Sequence, residues 1–312
     1  MTEFLFPTSL VCIEGPDLAG KTTLYNDVHR HTGFKWNIQD RSFLSMVCYA
    51  RQYGRDESHH RTGLMRELSN LNNRLVVVIP PEDAIVARLK KRGDDFQDEE
   101  SIVHLRKIFV EEAAAIREFP NVLVVKKALS KPDLAEACVK FLEGTEQLRV
   151  EEVGQFIQKF VHAQKRQEAT VDIRLNLSRK DRFSDIMIHP TEGRYYNEII
   201  QKTSTTIMNE IEGKNPYDRP QGIDSRRFYY SSDSCIASVH FLIRDECLRV
   251  LSALRSTDVD RNASADLKFL CHLSTHIARR FKWPCKFVEL DLRFNCAHVR
   301  TDLSIEDEVS EI

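Results

Sequence analysis

The residues with the clearest chemical purpose lie between Gly15 and Thr22. This stretch reads GPDLAGKT and fits the pattern G-x-x-x-x-G-K-[ST]. Glycines let a backbone wrap closely around phosphate with its N–H groups directed inward, and a helix that begins near Lys21 adds the positive end of its dipole. In this pattern the lysine reaches the β- and γ-phosphates of a nucleotide, and Thr22 offers its hydroxyl to Mg²⁺. We therefore predict that ATP and Mg²⁺ bind here, with Thr22 as the metal ligand and the following residues in contact with the cofactor: Gly15, Pro16, Asp17, Leu18, Ala19, Gly20, Lys21, Thr22 and Thr23.

Strands and helices alternate around this loop. The apolar run from Val11 to Ile13 leads into the loop as a buried strand, and a helix is predicted from Lys21 to Arg30. Further strands are predicted from residue 34 to an end at Asp40 and over 75–79 and 121–125, with helices between them and a closing helix over 131–142. This alternation predicts an α/β domain of three layers with a mainly parallel sheet, which we assign to residues 1–145.

The pattern changes in the remainder of the chain. Residues 146–182 are charged, and apolar residues at helical spacing predict a packed helix over 150–164, so we expect a helical connector there. From residue 183 onwards, helical segments over 195–212 and 265–281 flank extended segments over 228–230, 239–243 and 287–290. This arrangement predicts a second, smaller α+β domain over 183–312.

Composition narrows the classes of protein that are compatible with the chain. It has 312 residues, with 42% hydrophobic and 29% charged residues and a net charge of -2, which is ordinary for a globular protein and argues against a surface coated in basic charge. The eight cysteines form no C-x-x-C pair, so neither a zinc ribbon nor a disulfide framework is indicated. No apolar run is long enough to span a membrane. We expect a cytoplasmic protein without a membrane partner.

Three segments of the first domain resemble thymidylate kinases and related nucleotide kinases. They are IEGPDLAGKTT, then DRSFLSMVCY, then IPPEDAIVARLKKRG, and together they extend the resemblance over about residues 8–143. The resemblance implies that Asp17 contacts the acceptor nucleotide near its sugar and that Arg41 holds the acceptor. It also implies that Arg88 and Arg92 belong to a lid that neutralises the phosphate being transferred, beside Lys21.

Structural alternatives remain open for these residues. Asp40 and Arg41 could form an ion pair at a strand end, Arg88 and Arg92 could be a solvated helix face, and Asp17 could be loop filler. The stretch 55–74 is shorter than in a usual thymidylate kinase. A shortened wall at this place would suit an acceptor larger than a mononucleotide.

The second domain carries a separate resemblance. DSRR ends at Arg227, Cys235 follows eight residues later, and RSTD begins at Arg255. This order resembles thymidylate synthases and the phage dUMP and dCMP hydroxymethylases over about 224–300. It implies a phosphate site, a thiol that attacks a pyrimidine ring, a cytosine-type reader at Asp266 and a symmetric homodimer. The implied nucleotide site comprises Arg226, Arg227, Cys235, Arg255, Ser256, Asp266, His298 and Arg300.

Several positions depart from the synthase pattern. Ile236 follows the cysteine in place of His, His240 replaces a Gln, and Arg300 stands where a sugar-reading Tyr is expected. No segment for folate chemistry is found upstream, so Cys235 could equally be an inert core thiol. An arginine at position 300 could meet an additional phosphate, as in a nucleotide embedded in a DNA strand.

Three functions are compatible with this combination. The first is transfer of phosphate from ATP to a pyrimidine deoxynucleotide, with the hydroxymethyl group of 5-hydroxymethyluracil in phage DNA as acceptor; phage kinases of thymidine hypermodification resemble thymidylate kinases. The second is a pyrimidine deoxynucleoside monophosphate kinase fused to a dUMP or dCMP hydroxymethylase. The third is a nucleotide-sensing module that uses the phosphate loop as a switch. A phage-encoded protein would act in the cytoplasm of its host.

Overall fold

Two β-sheets organise the chain. The computed structural model describes residues 4–93, 97–126, 129–146, 148–178, 190–212, 228–232, 235–244, 246–283 and 285–299. The first sheet has four parallel strands in the spatial order β3-β2-β4-β5. Their bounds are β2 (Leu10–Glu14), β3 (Ile38–Asp40), β4 (Asn73–Val78) and β5 (Val122–Val125).

Helices cover both faces of this parallel sheet. They are α1 (Lys21–Thr32), α2 (Phe43–Gln52), α3 (Ser58–Ser69), α4 (Glu82–Arg92), α5 (Glu99–Ile116) and α6 (Lys131–Glu146). On one face, Val11 and Val76 pack in a core with side chains of α1 and α6. On the other face, Leu75 and Val77 pack in a core with side chains of α2, α3 and α5. Strands buried on both faces need continuous apolar runs, and the predicted three-layer α/β arrangement with a parallel sheet is confirmed.

The strand predicted from residue 34, with its end at Asp40, is wrong at its start and confirmed at its end. Helix α1 ends at Gly33 in the left-handed conformation, and Phe34 also has a positive φ of 61°, so the chain is still turning there. Trp36 is buried in the core beside α1, and its indole N–H donates to Glu146 at 2.7 Å. The strand therefore begins only at Ile38 and ends at Asp40, and among the described strands β2 is its single neighbour in the sheet.

The second sheet is larger and mixed. Its order is β1-β6-β11-β9-β8-β7, and β10 pairs with β11 beside this path. Three further helices accompany it, and α7 and α9 pack against each other while contributing to the same apolar core as the buried face of the sheet. The bounds are β1 (Phe4–Leu5), β6 (Glu168–Ser178), β7 (Phe228–Ser231), β8 (Ile236–Arg244), β9 (Cys247–Leu254), β10 (Thr257–Asp258), β11 (Phe287–His298), α7 (Val150–His162), α8 (Pro190–Ile211) and α9 (Ala263–Arg280).

Sequence analysis found helix α7 but missed strand β6. The strand lies within the range expected to be a connector, yet it pairs antiparallel with β11 over ten residue pairs. Val171, Ile173 and Leu175 are buried, whereas Arg174 between them is exposed. This alternation is the period-two signal of a strand with one solvated face, and the surrounding charges concealed it.

Asn72 joins the two sheets. The side chain is 1% exposed, and its amide donates to the carbonyls of Pro7 and Arg174, both at 2.8 Å. Its oxygen accepts from the backbone N–H of Arg174 at 2.6 Å. Leu71 adds a backbone hydrogen bond to Asp172 at 2.9 Å, so the loop before β4 is fastened to β6.

Candidate functional site

The loop between β2 and α1 has the backbone that the phosphate-binding pattern requires. Gly15 has φ 145°, and a Cβ placed there would lie 2.2 Å from the carbonyl oxygen of Val78, so a side chain does not fit. Gly20 has φ 96° and forms the N-cap of α1, while Leu18 also has a positive φ of 63°. The loop is therefore a tight turn that directs the amino end of α1 toward a cavity.

Lys21 lies at the floor of this turn. It is 8% exposed, and its ammonium donates to the carbonyls of Gly15 at 3.0 Å and Pro16 at 3.1 Å. Burial lowers the pKa of Lys21, while the carboxylate of Asp17 acts in the opposite direction. The ammonium is thus held against the loop, where phosphate oxygens would be bound.

Thr22 and the first turn of α1 face the same cavity, which has a volume of about 710 Å³. Among the described residues, no group of three His, Cys, Asp or Glu side chains is arranged to hold a metal ion. A single threonine hydroxyl suits Mg²⁺, because Mg²⁺ in kinases keeps several waters and takes its other ligands from the substrate phosphates. The hydroxyl of Thr22 would be the protein ligand of such an ion.

Asp17 is the centre of a hydrogen-bonded cluster at one side of the loop. Its carboxylate accepts from Arg41 at 3.0 Å, from the hydroxyl of Tyr49 at 2.6 Å and from the amide of Gln97 at 2.8 Å. The Arg41 guanidinium also lies over the Tyr49 ring, 5.1 Å from its centroid. Burial and the bond to Asp17 raise the pKa of Tyr49, so this phenol remains protonated and donates. The cluster fixes an arginine and a carboxylate beside the phosphate loop.

Glu14 supports the turn that presents Arg41. It is fully buried at the end of β2 and accepts from the hydroxyl of Ser42 at 2.7 Å and from the backbone N–H of Ser45 at 3.1 Å. These donors belong to the first turn of α2, where a carboxylate also meets the positive end of the helix dipole. Arg41 itself has φ 81°, a strained value for a non-glycine residue, and the anchored helix maintains it.

The predicted lid residues are on α4 and border the cavity. Arg88 donates to the carbonyl of Leu18 at 2.7 Å, so it lies over the phosphate loop. Arg92 lines the cavity one turn further along the same helix. Lys91 beside it and Lys131 at the start of α6 also line the cavity. The cavity is therefore bordered by cations on three sides, as polyphosphate binding requires.

The structure adds residues that sequence analysis did not single out. Tyr49 lies within the motif DRSFLSMVCY, and Gln97 precedes α5 with no motif of its own. Lys91 and Lys131 are ordinary surface lysines by sequence. Only Glu14 carried a usable signal, because a charged residue at the end of a buried strand indicates a special role.

One end of the larger sheet contains four of the eight residues predicted for a second nucleotide site, namely Cys235, Arg255, Ser256 and His298. Cys235 is exposed, and its carbonyl accepts from the backbone N–H of Arg255 at 2.7 Å. Ser256 is 3.3 Å from Nδ1 of His298. Arg226, Arg227 and Arg300 lie outside the described residues.

Asp266 lies in the first turn of α9 and is 5% exposed. Its carboxylate accepts from the hydroxyl of Tyr196 at 3.4 Å and from that of Thr257 at 3.2 Å. Both bonds are to buried parts of the protein, and they link α8, β10 and α9. A carboxylate with these partners stabilises the packing of the domain.

Comparisons with known proteins give only distant matches. The YorR protein of Bacillus subtilis, solved in complex with phosphorylated GDP, matches 43% of this chain and 96% of its own length, with 15% identity and a TM-score of 0.36. Deoxyadenosine kinase from M. mycoides, solved with dCMP and dCDP, matches 44% and 100%, with 16% identity and a TM-score of 0.34. Thymidylate synthase from T4 phage matches 36% of this chain and about half of its own length (49%), with 13% identity and a TM-score of 0.23. No protein-family profile and no curated protein matches the sequence.

These TM-scores are too low for the matches to carry an argument about activity, so that argument depends on the site. In the part of the chain that the structure describes, no helix has both the length and the apolar character needed to cross a membrane.

Proposed function

We propose that this protein is a kinase that transfers the γ-phosphoryl group of ATP to a pyrimidine deoxynucleotide. We further propose that the acceptor is the hydroxymethyl group of 5-hydroxymethyluracil in phage DNA. The observation that carries the proposal is the cavity above the phosphate loop, where six cationic side chains face three carboxylates. The cations are Lys21, Arg41, Arg88, Lys91, Arg92 and Lys131.

The cationic residues have distinct tasks in this reaction. Phosphoryl transfer spreads negative charge over the equatorial oxygens of the moving group, so the protein must supply fixed positive charge and exclude water. Lys21 sits at the β- and γ-phosphate end of the loop, and Arg88 and Arg92 cover it from α4. Mg²⁺ supplies further neutralisation of phosphate charge when it is bound, with Thr22 as its protein ligand. Arg41, oriented by Asp17, holds the acceptor.

The preference for an acceptor inside DNA is supported by the shape of the acceptor side. Strand β3 is an edge strand, so Asp40 and Arg41 at its end have no further strand beside them among the described residues. Helices α2 and α3 are separated by only five residues, 53–57, which agrees with the shortened wall noted in the sequence. Because no further strand covers the acceptor side of the cavity among the described residues, that side can admit a substrate longer than one nucleotide.

We propose in addition that residues 1–145 carry this activity and that residues 183–312 read the base or the DNA strand. The protein would form a homodimer through that second domain. The eroded synthase pattern motivates this assignment. The protein would act in the cytoplasm of the phage host.

The alternative is a bifunctional protein, a monophosphate kinase joined to a dUMP or dCMP hydroxymethylase. The exposure of Cys235 and the backbone hydrogen bond that joins it to Arg255 favour this alternative, because that chemistry needs a thiol and a phosphate-binding arginine in the same site. Tritium release from [5-³H]dUMP or [5-³H]dCMP with methylene-tetrahydrofolate would then depend on Cys235. Absence of release with both nucleotides excludes the hydroxymethylase.

An assay with γ-³²P-ATP tests the proposal directly. Two acceptors are offered side by side, namely duplex DNA that contains 5-hydroxymethyluracil and a panel of pyrimidine deoxynucleoside monophosphates. We expect label in the DNA with wild-type protein and none with Lys21→Ala. Label only in the monophosphates would contradict the DNA acceptor and retain the kinase. ATP binding without transfer to any acceptor would instead indicate a nucleotide-sensing module.

A further inference from the structure

Three carboxylates line the phosphate cavity, and two of them are already engaged by the protein. Asp17 is held by the three donors of its cluster. Asp27, on α1, accepts from Arg30 at 3.2 Å. Asp17 and Asp27 therefore already have hydrogen-bond partners within the protein.

Asp40 differs from both. No described residue donates a hydrogen bond to its side chain, and the residue is exposed at the cavity wall. It is the last residue of β3 and pairs in register with Ile13 of β2, which precedes the phosphate loop. Carboxyl ends of parallel strands meet at the edge of a sheet where ligands bind. Asp40 is therefore the carboxylate of this cavity to which no described residue donates a hydrogen bond.

Charged residues of the phosphate loop and of the acceptor side surround Asp40 in the cavity. Burial lowers the pKa of Lys21, and the carboxylate of Asp40 is among the charges that oppose this effect. Arg41, the next residue along the chain, pairs with Asp17 at 3.0 Å. Glu14, the other acidic residue nearby, is fully buried and bonded to the first turn of α2. Asp40 thus lines the same cavity as the lysine of the loop and the arginine of the acceptor side.

We propose that Asp40 is the general base that removes the proton from an acceptor hydroxyl, an inference that rests on the proposed function. The hydroxyl oxygen forms a bond to the γ-phosphorus while the bond from that phosphorus to the β,γ-bridging oxygen breaks. ADP leaves with the electron pair of the broken bond, and the hydroxyl proton passes to a carboxylate oxygen of Asp40 and then to water. A monophosphate acceptor presents an ionised oxygen at neutral pH and has no proton to lose, so it does not need this base.

The experiment compares wild-type protein, Asp40→Asn and Asp27→Asn, each as the full chain. Asp27→Asn is the matched control, since it makes the same change at a carboxylate of the same cavity that Arg30 already engages. For each protein we would measure kcat with hydroxymethyluracil DNA as a function of pH and of Mg²⁺ concentration. Thermal melting and binding of a fluorescent ATP analogue show that the variants remain folded and bind nucleotide.

For Asp40→Asn we expect kcat with the hydroxyl acceptor to fall by about 10²-fold or more, with the acid limb of the pH profile flattened. The Mg²⁺ concentration for half-maximal rate should stay within about twofold of wild type, and Asp27→Asn should lose far less activity. A loss that is restored by additional Mg²⁺ would overturn the proposal and make Asp40 a metal ligand. A loss no larger than that of Asp27→Asn would also overturn it. Failure of the kinase assignment is distinguishable, because the wild-type protein itself would then transfer nothing.

Discussion

The phosphate cavity and the end of the larger sheet contain similar kinds of residue in different states. At the cavity, Lys21 and Arg88 donate to loop carbonyls, and both side chains line the open space together with four further cationic residues. At the end of the larger sheet, Asp266 is 5% exposed and both of its oxygens accept from buried hydroxyls. The first region is arranged to receive charge from outside the protein, whereas this part of the second satisfies its charge internally.

The difference shows which kinds of sequence motif predict the structure of a functional site. The phosphate loop works through backbone geometry set by eight consecutive residues, so its presence in the sequence nearly determines its structure. A synthase-type site depends on side chains far apart in the chain, and each can be retained for packing after the chemistry is lost. Under the proposed function, catalysis belongs to the domain of the parallel sheet and reading of the substrate to that of the larger sheet.

The largest expected effect is that of Lys21→Ala. Removing this ammonium takes away fixed charge at the β- and γ-phosphates, so the rate of phosphoryl transfer should fall by about 10²- to 10³-fold. Lys131→Ala, which removes a lysine from the rim of the same cavity, should cost much less. Steady-state kinetics with labelled ATP would measure both, and equal losses would contradict the role given to Lys21.

Substitution of two glycines, one in each region, should affect nucleotide binding differently. Gly15→Ala brings a Cβ to 2.2 Å from the backbone oxygen of Val78, and Gly154→Ala brings one to 2.0 Å from the hydroxyl of Ser264 in α9. Each should lower the free energy of unfolding by about 1–3 kcal/mol in denaturant titrations. Only Gly15→Ala should also weaken binding of a fluorescent ATP analogue. Loss of nucleotide binding in Gly154→Ala would refute the separation.

Glu112 predicts a pH dependence of stability within the first region. Burial alone would raise the pKa of Glu112, but hydrogen bonds from Arg61 and Arg51 outweigh burial and lower it. A lowered pKa in the folded state stabilises the protein above the unfolded value near 4.5, and this contribution is lost as pH falls through the folded value. Glu112→Gln should therefore cost about 1–3 kcal/mol at pH 7.

The difference between wild-type protein and Glu112→Gln should shrink in urea titrations below pH 4.5, where the carboxylate becomes protonated. A difference that is constant from pH 7 to the acid range would show that the ion pairs with Arg51 and Arg61 do not stabilise the fold.

The smallest effect is expected at Cys235. The thiol is exposed, so Cys235→Ala should change the free energy of unfolding by less than about 0.5 kcal/mol and leave phosphoryl transfer unchanged. Cys48→Ala, at a fully buried thiol beside the parallel sheet, should cost about 1 kcal/mol. A large loss of transfer in Cys235→Ala would show that the second region takes part in catalysis.

Sequence reasoning reached the parts of the molecule that depend on local pattern. The phosphate loop, the parallel strands and helix α7 follow from glycine placement and from the periodicity of apolar residues. Sequence reasoning did not find Tyr49 and Gln97, because they reach Asp17 only through the packing of α2 and of the segment before α5. Strand β6 was missed because the charged residues around it concealed its alternation of buried and exposed positions, and its partner strand lies more than a hundred residues away.

The most direct test of the account is to locate the transferred phosphate. DNA that contains 5-hydroxymethyluracil is incubated with ATP and the wild-type protein, digested to nucleosides without phosphatase attack on the modified base, and analysed by mass spectrometry. We predict a nucleoside that carries phosphate on the 5-hydroxymethyl group and is absent with Lys21→Ala. Unmodified nucleosides from the wild-type reaction, with ATP consumed only when free monophosphates are present, would contradict it.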